Sequence, residues 1–350
     1  MMNRRLSSAL RDLGQHLSSA RARGPWVDRL LERRKVPLRP ALDAARHEIQ
    51  TADAGTISYY ADTSGSGRPL VLLHGIHAAA SSYEMRPLFE SFRGERPVYA
   101  LDLPGFGFSE RGGRSYSPAT YVHAIEHLLR NVAVERGADV VALSLTSEYA
   151  AKVAVEMPEL VRSLVLLSPT GFAARDEAKR LERWARRRDK RLATRLGHLQ
   201  SSRLLYELLV SRPSLRFFLQ RNFEGRIDDG LLAYAYATSH QPGAARAPLA
   251  FLSGGLFPSG SGLNVYAHVR APSLVLHDKD PYTGFGELPE FVAKHVNFQQ
   301  LRIPHTRGLP QFDAPQQTIE ALRDFWRGND ITHPISPGRG FQGSRFIGSA

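Results

Sequence analysis

The sequence predicts an α/β fold built on a mostly parallel sheet, and three observations predict it. Short, continuous apolar runs recur at residues 69–73, 98–101, 139–143, 163–167 and 273–276. Strands read this way when helices cover both faces of the sheet. Helical stretches, for example residues 118–132 and 147–157, separate the runs, and such alternation is the pattern of βαβ units. The third observation is bulk: 350 residues, 42% of them hydrophobic, suffice for one large domain or two smaller ones with a packed core.

The elements follow in order. At about 100° per residue, Leu6, Leu10, Leu13 and Leu17 share one helical stripe, which Gly24-Pro25 ends. A short second helix carrying Trp26, Leu30 and Leu31 runs to Lys35, and Pro37 and Pro40 read as a linker. Residues 1–47 are therefore expected to form a basic helical extension. From Glu48 the pattern changes: residues 56–60 read as a strand and residues 64–67 as a turn, opening the first part of an α/β core over 48–171. Residues 172–262 lose the alternation and read as helices, with Leu181, Trp184, Ala185, Leu192, Leu196 and Leu199 on one stripe. The sheet pattern returns over 263–327. Residues 328–350 are rich in Gly, Ser, Pro and Arg and read as a flexible tail.

Composition removes several classes of function. There is no cysteine, which excludes disulfides, thiolate metal sites, Fe–S clusters and a cysteine nucleophile, and fits a reducing compartment. No apolar run reaches the roughly 18–20 residues of a spanning helix, and residues 1–35 lack the apolar core of a secretory signal. A cytoplasmic location is expected. The net charge of +12 is uneven: residues 1–35 hold nine basic and three acidic side chains, and residues 175–195 hold ten and four. The remainder is neutral, so a uniformly basic nucleic-acid-binding body is not expected. The two basic segments would be the places to meet an anionic membrane surface, if the protein touches one. The 13 histidines are scattered, no phosphate or dinucleotide loop is present, and no metal or cofactor is expected.

The chemistry-bearing residues cluster after the core strands. The run 139–143 leads into Ser144-Leu145-Thr146 and then a helical pattern. A serine on a sharp strand-to-helix turn is the nucleophile-elbow arrangement. A helix N-cap explains the same residues. Small residues two before and two after the serine ease the turn; here they are Ala142 and the bulkier, β-branched Thr146. His74-Gly75-Ile76 follows the first core strand. Asp102-Leu103-Pro104-Gly105-Phe106-Gly107 follows the second.

In this order the motifs resemble the α/β-hydrolase superfamily over roughly residues 55–170 and 263–327. The resemblance implies Ser144 as nucleophile and an oxyanion hole from the backbone N–H groups of Leu145 and Ile76, because negative charge grows on the carbonyl oxygen during acyl transfer. It implies a helical lid at 172–262, structural roles for His74 and Asp102, and a triad acid at Asp280 with Asp278 as its neighbour. The histidine breaks the pattern. Registering Leu309-Pro310 and Phe312-Asp313 on the family motif puts Gly308 in the histidine position, and glycine cannot take a proton. His305, three residues earlier, is the substitute expected if the loop rearranges. His277 and His77 are alternatives, and Glu148 lies four residues after Ser144 on the same helical face. Two functions follow: a serine hydrolase cleaving an ester, thioester or amide of a small apolar substrate, or a catalytically degenerate protein that binds a ligand or serves as a scaffold.

Overall fold

The computed structural model describes residues 36–113, 115–133, 137–174, 205–258 and 262–332. Both basic segments, and the helical stripe from Leu181 to Leu199, lie outside the described residues. The strands are β1 (Ala45–Thr51), β2 (Gly55–Asp62), β3 (Leu70–Leu73), β4 (Val98–Asp102), β5 (Ala138–Leu143), β6 (Val161–Leu167), β7 (Ser273–Lys279) and β8 (Phe298–Arg307). They form one eight-stranded sheet in the order β1-β2-β4-β3-β5-β6-β7-β8. β2 is antiparallel to both β1 and β4, and every pairing from β4 through β8 is parallel.

Successive strand residues face opposite sides, so each central strand feeds two cores. On β3, Val71 and Leu73 join one apolar cluster, together with helices α2 (Pro118–Val132), α3 (Thr146–Glu156) and α8 (Leu288–Lys294). Leu70 and Leu72 join the other, with α1 (Arg86–Phe92) and α10 (Pro315–Thr332). This double covering is why the strands read as unbroken apolar runs. α2 begins at the residue its sequence marks: Ser117 accepts the Thr120 N–H as N-cap, and Pro118 fills the first turn, where its missing N–H costs nothing.

Between β6 and β7 the described chain carries α4 (Arg212–Gln220), α5 (Asp229–Ser239), α6 (Arg246–Leu252) and α7 (Gly262–Tyr266), with no strand among the described residues. α9 (Pro310–Asp313) follows β8. Three boundaries differ from the sequence reading. β1 starts before residue 48 and pairs along its whole length with β2; its mostly exposed side chains gave no apolar signal. α10 runs past residue 327 to Thr332. β8 continues through Pro304 and His305 to Arg307, where a loop was expected, because its far end pairs again with β7 after a register shift.

One polar cluster crosses the sheet. The Asp139 carboxylate is fully buried and accepts the Ser163 hydroxyl at 2.6 Å; Arg68 lies 3.4 Å away and Arg96 pairs with it more closely. Trp326 on α10 donates its indole N–H to Ser163 at 3.1 Å. Removing the carboxylate takes from two largely buried guanidinium groups the negative charge they share. Asp139→Ala is therefore expected to cost about 3 kcal/mol, read as a lower urea midpoint with an unchanged m-value.

Candidate active site

The turn from β5 into α3 is strained. Ser144 sits at φ 55°, the left-handed region, where a non-glycine residue costs on the order of 1 kcal/mol. Hydrogen bonds hold it there. The Ser144 N–H donates to the Leu167 carbonyl at 2.9 Å, and the Ser147 hydroxyl donates to the Ala142 carbonyl at 3.1 Å. Thr146, the bulky residue of the motif, is accommodated without distortion. Its side chain is fully buried and its hydroxyl donates to the His74 carbonyl at 2.7 Å. The residue that departs from the usual motif thus ties the elbow to the loop 74–79 after β3.

That loop supplies the other half of the site. Ile76 and Leu145 are buried, and among the described residues neither backbone N–H has a hydrogen-bond acceptor. Buried N–H groups are nearly always paired. Two unpaired ones beside a serine are an arrangement suited to a carbonyl or carboxylate oxygen, and Leu145 adds the positive end of the α3 dipole.

Ser144 is half-buried at the floor of a cavity of about 150 Å³, comparable to cavities that take a benzene ring. Ile76 and Leu145 line it, as do Asp280, Gly308 and Thr170. Its upper wall comes from the helical segment between β6 and β7: Leu209, Leu215, Phe218 and Leu219 on one side, Phe251, Leu252 and Phe257 on the other. A small apolar group fits such a lining.

The structure brings Ser144, Ile76, Leu145 and Asp280 to one cavity and leaves His305 out. His305 is exposed, at φ 63°, on β8. Its neighbour Thr306 is buried and donates its N–H to Asp278 at 3.3 Å, which turns the imidazole to the opposite face. The expected loop rearrangement does not occur, because strand pairing holds this segment. Asp278 is likewise committed elsewhere, to Arg302 at 2.6 Å. His277 packs at a tilt against Phe285, burial lowers its pKa, and it does not line the cavity.

Gly308 lies beside Asp280 and Asn222 at the edge of the cavity. A Cβ there would lie 3.4 Å from Asp280 Oδ2 and 3.0 Å from Asn222 Oδ1, and the backbone is left-handed at φ 76°. Asn222, just past α4, fills the place an imidazole would need. Asp280 Oδ1 accepts the Tyr282 and Thr283 N–H groups at 2.7 and 2.9 Å, capping its own turn.

Among the described residues no imidazole hydrogen-bonds Ser144. His74 is buried: Nδ1 bonds the Gly75 carbonyl at 2.6 Å and Nε2 accepts the Leu103 N–H at 3.0 Å. Burial lowers its pKa and keeps it neutral. Asp102 accepts Ser82 and Phe108 N–H groups, so both residues organise loops. His77 lines the cavity, but its nitrogens are engaged. Nε2 contacts Glu84 Oε1 at 2.5 Å, and Nδ1 accepts the Ala79 N–H at 3.3 Å. Glu84 also accepts the Gly75 N–H at 2.9 Å. Burial pushes the Glu84 carboxyl up, yet His77 and Gly75 together hold it below its usual range. The pair braces the loop 74–79.

Three features escaped the sequence reading. Asn222 and Thr170 lie far from any motif, and only tertiary packing brings them to the cavity. His123 and His127, four residues apart on α2, both contact Asp53, at 3.0 and 2.9 Å. That spacing was legible. The described residues contain no group of three ligands placed to hold a metal, and none of their helices is long and apolar enough to cross a membrane.

Comparison with known proteins fits this geometry. The sequence profile of the Alpha/beta hydrolase family matches residues 70–321, and the chain belongs to that family. A pimeloyl-[acyl-carrier protein] methyl ester esterase of Nitrosospira multiformis is 32% identical over 128 residues, which are 35% of this chain and 47% of that protein. A 2-hydroxymuconate semialdehyde hydrolase of a Pseudomonas species is 33% identical over 112 residues, 31% of this chain and 39% of that one. The matched stretch thus spans less than half of either relative. Among solved structures, a bacterial membrane phospholipase A superposes with a TM-score of 0.63 at 22% identity, covering 86% of this chain and 89% of the other. It shares the fold.

Glu148, one turn beyond Ser144, is the remaining ionisable group near the site. It is buried on α3, and Thr170 donates its hydroxyl to it. Burial pushes its pKa from 4.5 up to about 7, against the lowering effect of the Thr170 hydrogen bond. Between those two values the folded protein keeps a proton that the unfolded chain has released. Stability therefore falls as pH rises through that window, by on the order of 3 kcal/mol. Glu148→Gln is expected to flatten the decline, measured as denaturation midpoints of both proteins at pH 5 and pH 8.

Proposed function

We propose that the protein is a serine hydrolase acting on an ester, thioester or amide of a small apolar acyl compound, with Ser144 as nucleophile. The observation that supports this most directly is the strained Ser144 turn beside two buried, unpaired N–H groups. Strain of this kind persists where the surroundings over-determine it, and it clusters at functional sites. The acyl group enters the apolar part of the cavity, and its carbonyl oxygen meets the Ile76 and Leu145 N–H groups. Ser144 attacks the carbonyl carbon, and water later releases the acyl group. Esterase and hydrolase relatives support the reaction class.

A second reading, ligand binding without turnover, draws on another feature of the site: Gly308 faces Asp280 with Asn222 beside it, where the family pattern has a histidine. The two readings separate on one experiment. A fluorophosphonate probe is expected to label the wild type and not Ser144→Ala. Absence of labelling, with a control hydrolase labelled alongside, decides for the binding protein.

The slot itself can be refilled. Gly308→His combined with Asn222→Ala removes the tight contact and sets an imidazole against Asp280. Because a positioned base is worth about 10²–10⁴ in rate, this double variant is expected to raise p-nitrophenyl butyrate hydrolysis at least tenfold. An unchanged rate with the fold intact argues against Asp280 as a usable triad acid.

A further inference from the structure

We infer that Thr170 and Glu148 together replace the missing histidine as the proton acceptor for Ser144. This inference rests on the hydrolase reading above. It answers a question that reading leaves open, since a serine hydroxyl must lose its proton as it attacks.

The geometry is as follows. Thr170 follows β6 and lines the cavity together with Ser144. The two are adjacent: the Thr170 N–H lies 3.5 Å from the Ser144 carbonyl oxygen. The Thr170 hydroxyl donates to Glu148 Oε1. A hydroxyl has one proton and two acceptor lone pairs. With its proton committed to Glu148, Thr170 can only accept on its cavity side. It therefore keeps a lone pair on the cavity that Ser144 also lines; no hydrogen bond joins the two hydroxyls in this structure, and the relay requires them to meet as Ser144 attacks. Glu148 is sealed behind it. Gly262 at the start of α7 packs so closely that a Cβ there would come within 3.1 Å of the Glu148 carboxyl carbon. Tyr266, also on α7, donates its hydroxyl to the Thr170 carbonyl at 3.1 Å.

The proton balance closes. As the Ser144 Oγ–carbon bond forms, its proton passes to Thr170 Oγ1, and the Thr170 proton passes to Glu148. The carbonyl π pair becomes the oxyanion held by Ile76 and Leu145. When the tetrahedral adduct collapses, the carbon–leaving-group bond breaks. Glu148 then returns a proton through Thr170 to the departing oxygen, nitrogen or sulfur. Water attack on the acyl-enzyme repeats the cycle. No co-reactant other than water is needed.

The acceptor must be ionised, so its own environment sets the pH response. The titratable groups that face Glu148 are Tyr149 on its own helix and Tyr266 on α7. Burial raises both well above the usual tyrosine value, so they stay neutral. Among the described residues no ion pair offsets the Glu148 charge. A carboxyl that titrates at about 7 is matched to a base working near neutrality. Activity should rise with pH through the range in which stability falls.

The test follows p-nitrophenyl butyrate hydrolysis and the rate of fluorophosphonate labelling from pH 5 to 9, in the wild type and four variants. The wild-type labelling rate is expected to rise about tenfold per pH unit below neutrality and then level off, as a single ionisation requires. Glu148→Gln and Thr170→Val should lower it about 100-fold or more and flatten the profile. Thr170→Ser, which keeps the hydroxyl, should restore both rate and profile. Glu148→Gln should lose activity while gaining stability at pH 8, a combination that a purely structural role does not produce. Wild-type rate and pH profile in Glu148→Gln overturn the relay and leave the hydrolase reading standing. Turnover that persists in Ser144→Ala, or a wild type that never labels, overturns both.

Discussion

A polypeptide that leaves a buried parallel strand and enters a helix within two residues has few backbone options. This constraint organises the site. Here the chain takes the left-handed option at Ser144, and several hydrogen bonds hold it. The consequence is geometric. Ser144 and Leu145 line one cavity, and Thr146 is directed at the His74 carbonyl. That last bond fixes the loop carrying Ile76, so the Ile76 and Leu145 N–H groups are positioned by a single turn. The apolar wall from the helical segment then closes over a point whose polarity is already set.

What the turn does not supply is a destination for the proton. Asp280 stands where a triad acid would stand, but it faces the left-handed Gly308 and the Asn222 amide. The cavity therefore separates two requirements that acyl transfer usually meets together. Charge stabilisation is preorganised in backbone groups that no substitution of side chains can easily erase. Proton transfer depends on side chains, and it is there that this chain differs from its family's pattern. Glu84 and Glu148 show how strongly surroundings divide like residues. Both are buried, yet two hydrogen-bonded partners hold Glu84 low, while near-isolation lifts Glu148 to about 7.

Much of this was legible in the residues. The apolar runs located five of the eight strands because burial on both faces leaves no room for polar residues. β1 was missed for the converse reason: it is an edge strand whose side chains are mostly exposed. That Ser144, Leu145, Ile76 and Asp280 would come together was suggested by the family resemblance, since each sits within a few residues of a strand end, and all four line one cavity. The absence of a histidine at position 308 was equally plain. His305 was a reasonable substitute on distance along the chain alone. It failed because β8 continues past Ile303, where a register shift and the left-handed backbone at His305 break the side-chain alternation and leave the imidazole exposed.

By itself, then, the sequence determined the α/β architecture, the elbow and the missing base, because these depend on local pattern and short-range spacing. It could not determine what surrounds the nucleophile. Asn222 lies more than seventy residues after Ser144 and Thr170 lies on the next strand's exit. Their meeting at one cavity depends on how the helical segment packs across the sheet. Nor could it determine ionisation: Glu148 is an ordinary carboxylate in the sequence, and only burial, with α7 packed against it, makes it a group that titrates near neutrality. Desolvation is a property of a folded environment, and no residue carries it alone.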